Sequence, residues 1–192
     1  MSKYDEVYQY TVSKLEYLQR IANTRKGRAM MANLRRGVGK QAGELPELWE
    51  MIFDRMPEKL LGKNQAEWAV YTALTLYAMH QQSCEQNMNQ EKISVGLASA
   101  KLVKNEDDTE RILKRLNLVV TAVSPEDLAY HLRSIIQLLR QEEIALDYAK
   151  LAKELYLFQY EENTSVIGLN WGRDFWQECN RKTSEKEKKE ND

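Results

Sequence analysis

Between Glu16 and Glu44 the chain carries seven basic residues and no acid: Arg20, Arg25, Lys26, Arg28, Arg35, Arg36 and Lys40. Side chains of this type break no bonds by themselves; at this density they bind polyanions, phosphate above all. The 192-residue chain has a net charge of −1, so these seven positive charges leave −8 for the remainder. On a helix over 24–36, at about 100° per residue, Arg25, Arg28, Arg35 and Arg36 share one arc. Gly27, Met30, Leu34 and, nearer the edge, Met31 fall opposite. One face can pack while the other meets phosphate. Arg35 and Arg36 would also suit a helix C-terminus without any ligand, but that leaves the mutual repulsion of the other cations uncompensated.

A second basic group follows later. Arg111, Lys114 and Arg115 stand at i, i+3 and i+4, opposite Ile112, Leu113, Leu116 and Val120, with Lys101 and Lys104 just upstream. Here Glu106, Asp107, Asp108 and Glu110 are close, so a salt-bridged structural face is a full rival to ligand binding. Arg133 and Arg140, seven apart, fall on a third helix and extend the strip. The candidate nucleic-acid-binding set is therefore Arg25, Lys26, Arg28, Arg35, Arg36, Lys40, Lys101, Lys104, Arg111, Lys114, Arg115, Arg133 and Arg140. Arginine dominates where the charge is densest, which suits bidentate phosphate contact. No RNP motif or aromatic-rich strand offers base stacking in the RRM manner, and no short helix pair reads as a recognition unit. The pattern fits backbone contact without sequence readout, weakening steeply with salt.

Other chemistry is thin. The histidines, His80 and His131, have no Cys, Asp or Glu at ligand spacing, so neither a metal nor a cofactor is expected. The His-Asp pair of helical phosphohydrolases is missing. Gly37-Val38-Gly39-Lys40 superficially matches a phosphate loop, but Leu34 and Gln41 stand where such a loop needs Gly and Ser or Thr. Glu142-Glu143 and Glu161-Glu162 read as solvated surface. Cys84 and Cys179 read as thiols, not a disulfide. The chain is not expected to be an enzyme.

The elements that must position the cations read as helices nearly throughout. Gly and Pro number only eight and three, and 43% of the residues are hydrophobic and 30% charged, a balance that favours helix. The spacing predicts a first helix over 4–22 and the basic helix to 36, closed by Gly37 as a left-handed cap. Pro46 opens a helix carrying Leu48, Trp49, Ile52 and Met56, and Pro57 ends it. Asn64 and Glu67 suggest a capping box for a helix to about 82, burying Trp68, Tyr71, Leu74 and Ala78. Polar residues 83–92 read as a linker. Ser94, then Asp107 with Glu110, then Ser124-Pro125-Glu126-Asp127, then Asp147 mark four further helix starts, and a last short helix covers 174–179. The fold class is all-α, an elongated protein of roughly eight or nine helices in two packed bundles. The divisions are 1–88 with one basic face, 89–180 with the other, and 181–192 as a disordered charged tail. With no apolar leader and no apolar run of membrane length, a cytoplasmic protein is expected, with no membrane partner.

Six segments follow one another: Leu34-Arg35-Arg36-Gly37 before Leu45-Pro46, Ser94-Val95-Gly96-Leu97-Ala98, Arg111-Ile112-Leu113-Lys114-Arg115-Leu116, His131-Leu132-Arg133, Leu146-Asp147-Tyr148-Ala149 and Trp171-Gly172-Arg173-Asp174-Phe175. In that order, over residues 10–176, they resemble the motifs of the CasB family, the small subunit of the type I-E CRISPR surveillance complex (Cascade). The resemblance implies an all-helical, non-catalytic subunit present in two copies in the complex. It would lie beside the CRISPR guide RNA backbone and the other Cascade subunits, and its basic face would hold displaced single-stranded DNA and so stabilise the R-loop. By motif, the resemblance carries nucleic-acid contact to Arg35, Arg36, Arg111, Arg115 and Arg133, and sets Arg173 in the terminal Trp-Gly-Arg motif. Leu97 departs from the basic residue of some relatives. Guide pairing would then read sequence, and the subunit would need no base code. The alternative is a protein–protein adaptor whose basic faces dock acidic partner surfaces.

Overall fold

The computed structural model describes residues 2–190 and is all-α. Its helices are α1 (Lys3–Ile21), α2 (Arg25–Arg36), α3 (Trp49–Phe53), α4 (Asn64–His80), α5 (Val95–Lys101), α6 (Glu106–Val120), α7 (Pro125–Gln141), α8 (Tyr148–Phe158) and α9 (Glu161–Glu190). Single 3-10 turns at Ala42–Glu44 and Pro46–Leu48 lead into α3.

The fold is built around α4. No charged side chain interrupts the stretch from Trp68 to Met79, and every residue from Ala69 to His80 is buried. A helix apolar on all sides must sit inside a molecule, so the single buried side expected from Trp68, Tyr71, Leu74 and Ala78 understates it; Trp68 itself is half-buried. α1, α2, α7 and α8 pack around α4. α8 comes from the second half of the sequence yet lies against α1 and α4, and one buried apolar cluster runs through both halves. A cut at residue 88 therefore does not separate two cores.

Cap chemistry explains most helix starts. The side-chain oxygens of Ser94, Ser124 and Asp147 accept the backbone N–H of Leu97, Asp127 and Lys150, each satisfying a donor the helix leaves open. Three local expectations change. α4 begins after Lys63, not Asn64, and Glu67 Oε1 accepts the Gly62 N–H at 2.5 Å. α6 is capped by Asn105 rather than by Asp107. Gly37 is right-handed, with φ −77°; it is glycine because a Cβ there would lie 2.7 Å from Tyr71 Oη. That hydroxyl donates to the Gly37 carbonyl at 2.9 Å and ties the end of α2 to α4.

The polar stretch 83–92 is no free linker. Leu146 N donates to Met88 O at 3.0 Å, Gln90 N to Leu146 O at 3.1 Å and Asp147 N to Ile93 O at 2.8 Å, and Met88 is buried beneath. The short helix expected over 174–179 is part of the 30-residue α9, and residues 181–190, expected as disordered tail, continue it. Tertiary contacts supply what composition lacks. Arg181 donates to both carboxylate oxygens of Glu178, at 2.8 and 2.7 Å, and Lys182 Nζ donates to the carbonyls of Ala100, Lys101 and Val103. The rest of the expected tail, Asn191 and Asp192, lies outside the described residues.

Candidate nucleic-acid interface

α2 starts from Thr24, whose Oγ1 accepts the Gly27 N–H at 2.9 Å. Gly27, Met30 and Leu34 are buried, at i, i+3 and i+7, and this stripe turns α2 onto its neighbours. Arg25, Lys26, Arg28 and Arg36 are left exposed and Arg35 half-buried. No acid stands in the first turn of α2, so Arg25 and Lys26 oppose the helix dipole there, a cost that nothing in the helix itself offsets. Lys26 is met from outside by Glu50 at 3.0 Å, a contact that raises its pKa. Arg36 pairs with Glu47 at 3.2 Å. Arg28 Nη1 donates to the Asn23 carbonyl at 2.9 Å.

α2 and α7 both pack on α4, which forms a floor between them. A groove of about 230 Å3 opens over that floor, with Lys40 on the α2 side and Arg133 on α7. Further along α4, a wider depression of about 770 Å3 takes in Arg28, Arg35, Tyr77 and Gln82. Arg140 Nη1 donates to Gln82 Oε1 at 3.4 Å and so stands at its margin. Lys40 and Arg133 thereby share the groove, while Arg28 and Arg35 line the depression with Arg140 at its margin; Arg25, Lys26 and Arg36 line neither. No carboxylate of the described residues lies within 4.0 Å of Arg25, Arg28, Arg35, Lys40, Arg133 or Arg140.

The α6 group is arranged differently. Arg111 pairs with Asp108 at 2.6 Å, Lys114 with Glu110 at 2.7 Å and Lys104 with Glu142 at 2.6 Å. The first two contacts hold the Asp108 and Glu110 carboxyls below their ordinary pKa. Arg115 is half-buried and donates to Ser134 Oγ on α7. Lys101 is half-buried at the end of α5, where its carbonyl accepts from Lys182. Arg111, Lys114 and Lys104 thereby present a nearly neutral surface, because each ion pair must open before a phosphate can replace its carboxylate, and Arg115 and Lys101 are half-buried. Arg173 is exposed, with Nη1 3.3 Å from Asn170 Oδ1.

Sequence reasoning missed Tyr130, which lines the groove at 69% exposure. Its signal was present: it falls off the α7 seam of Leu128, Leu132, Ile135 and Leu139, so an aromatic ring had to face outward. His80 is fully buried, with Nδ1 2.8 Å from Tyr148 Oη, and burial pushes its pKa down to about 4. Contrary to the expectation that no acid stands at ligand spacing, Asp127 lies four residues before His131 on α7 and the two pair at 3.1 Å, though no third ligand joins them among the described residues. Cys84 and Cys179 are free thiols. Among the described residues no three His, Cys, Asp or Glu side chains are grouped to hold a metal ion, and no helix is long and apolar enough to cross a membrane.

The fold has known relatives. A family profile for CRISPR-associated protein Cse2 matches residues 30–176. The crystal structure of CasB from Thermobifida fusca is 33% identical at a TM-score of 0.77, covering 88% of this chain and 97% of that one. M. ruber CasB shares the fold at 22% identity and a TM-score of 0.69, covering 89% of this chain and 97% of its own. So does a chain of a CRISPR RNA-guided surveillance complex, at 18% identity and 0.72, covering 93% and 98%. A search of curated proteins finds no match. The motif pairs that suggested the resemblance also meet in space: Gly96 of α5 lies against the Trp171 backbone of α9, and Ser94 Oγ donates to Asp174 Oδ2. A family profile over most of the chain, and one-third identity along nearly the whole of a solved CasB, make this chain a member of the CasB (Cse2) family.

Proposed function

We propose that this chain is a non-catalytic subunit of a CRISPR RNA-guided surveillance complex, and that it holds nucleic-acid backbone along α4, in a trough made up of the Lys40–Arg133 groove and the Arg28–Arg35 depression. The observation that carries this reading is that five cations without a carboxylate partner among the described residues stand at these two hollows: Lys40 and Arg133 at the groove, Arg28 and Arg35 in the depression and Arg140 at its margin. Partners follow from the family and from the chemistry: guide RNA, displaced single-stranded DNA, the other subunits and a second copy of the chain. Sequence-independent phosphate contact is all the role requires, because guide pairing does the reading. The α6 cations are secondary, since Arg111 and Lys114 are already neutralised by their own helix.

Removing charge from both walls tests the proposal. The variant Arg28→Ala/Arg35→Ala/Arg133→Ala should keep the helical circular-dichroism spectrum while binding single-stranded DNA and RNA more weakly. Its slope of log affinity against log salt should shrink by roughly 0.7 for each phosphate the variant no longer neutralises. A folded variant with unchanged affinity and slope would sink the reading. The adaptor alternative predicts negligible oligonucleotide binding at moderate salt together with stable co-purification of a protein. Docking of partner subunits does not require the trough, because α9 exposes Val166, Leu169 and Trp176 elsewhere.

A further inference from the structure

We propose that the groove between Lys40 and Arg133 is a socket for one unstacked nucleobase of a single strand. The inference rests on the trough being a nucleic-acid site and goes beyond it, because a backbone clamp needs no aromatic rings. Trp68 and Tyr71 of α4 and Tyr130 of α7 all line this groove. Tyr71 is committed to the fold through its bond to Gly37. Tyr130 is not: it is 69% exposed, off the packed seam of α7, and its one ring contact is an edge-on approach to its neighbour His131 at 5.3 Å. A large ring held at a groove beside a cation is the arrangement that stacks a base while its phosphates are neutralised.

Size and charge choose the occupant. The groove holds about 230 Å3, room for a single ring system and not a stacked run. Lys40 and Arg133 at its two sides call for an anion flanking a flat apolar body, as a nucleotide provides. Glu126 also lines it, which disfavours phosphate inside and leaves the interior to the neutral base. The wider depression of about 770 Å3 contrasts with it not in charge, since Glu85 lines it beside Arg28 and Arg35, but in the amide and hydroxyl groups of Asn23, Gln81, Gln82 and Ser83, which suit solvated phosphates. The strand would therefore pass along α4 with phosphates at the cations and one base turned down beside Tyr130.

The full-length chain tests this with four oligonucleotides of equal length: deoxy and ribo strands, each either fully base-bearing or abasic. The base-bearing strands should bind roughly 5- to 100-fold more tightly than the abasic ones. Tyr130→Ala should remove that difference without altering abasic binding or either salt slope, and Tyr130→Phe should retain it. A 2-aminopurine strand should lose fluorescence on binding the natural chain and not on binding Tyr130→Ala. The deoxy and ribo arms show which strand type uses the socket. Equal binding of base-bearing and abasic strands, or an advantage that survives Tyr130→Ala, overturns the socket while the abasic salt slope still supports the backbone clamp. Failure of every strand to bind overturns both. An apolar side chain of a partner protein as occupant would show as strand binding indifferent to Tyr130→Ala, with a co-purifying protein no longer retained.

Discussion

Glu154 on α8 is only 12% exposed, with Trp171 Nε1 donating to its Oε2 at 2.9 Å and Lys150 Nζ 3.9 Å from its Oε1. Burial outweighs both contacts and pushes its pKa up to about 7, from an ordinary value of 4.5. Below pH 4.5 the group is protonated whether the chain is folded or not. Between 4.5 and 7 the unfolded chain releases its proton first, so stability falls as pH rises, and above 7 the loss is complete. Glu154→Gln keeps an acceptor for Trp171 and cannot ionise. Its advantage over the natural chain in urea unfolding should be small at pH 4.5 and grow to about 3 kcal/mol by pH 8; a pH-independent difference would refute the assignment. His80 works with the opposite sign. Its folded pKa of about 4 lies below the ordinary 6.5, so it contributes stability that is lost as pH falls through that interval.

At the scale of elements, the α5–α9 contact is set by the absence of a side chain. A Cβ on Gly96 would lie 2.0 Å from the Trp171 carbonyl oxygen, which is backbone and cannot swing aside. Gly172, one residue further on, has nothing within 4 Å of the same position. Gly96→Ala should therefore cost at least about 1–3 kcal/mol, the range for overpacked cores. Gly172→Ala should gain up to about 1 kcal/mol from helix propensity. Thermal denaturation of the pair checks both signs. Such helix pairings are also where sequence reading met its limit. The starts of α5, α7 and α8 are legible because Ser94, Ser124 and Asp147 act on their own first turns. The pairs Asp108–Arg111 and Glu110–Lys114 are legible for the same reason, as i,i+3 and i,i+4 neighbours. Nothing local shows that Glu142 will meet Lys104, or that Lys40 and Arg133 will share a groove, because α4 must first come between their helices. The length of α9 was hidden too, since Arg181 and Lys182 are held by Glu178 and by carbonyls at and just beyond the end of α5 rather than by apolar periodicity.

Across the whole molecule, the start of the C-terminal third of α9 is tied back to the end of α5. Lys182 gathers three carbonyls at the end of α5, and Glu178, nearly buried, holds Arg181. Deleting residues 181–192 should lower the thermal midpoint by roughly 3–8 °C, since each kcal/mol lost is worth about 2–4 °C in a chain of this size. Oligonucleotide affinity should be untouched, because neither wall of the trough belongs to α9. A deletion that leaves the midpoint unmoved would show that these contacts do not hold the fold. The placement of α8 has a consequence of another kind. α4 ends at residue 80, but the helix that covers one side of it is not complete until residue 158. At ribosomal speeds that interval is on the order of ten seconds. Until α7 and then α8 emerge, the nascent chain carries a helix apolar on every side with the flanks they will cover bare, so synthesis, more than the finished fold, is the stage at which aggregation threatens this chain.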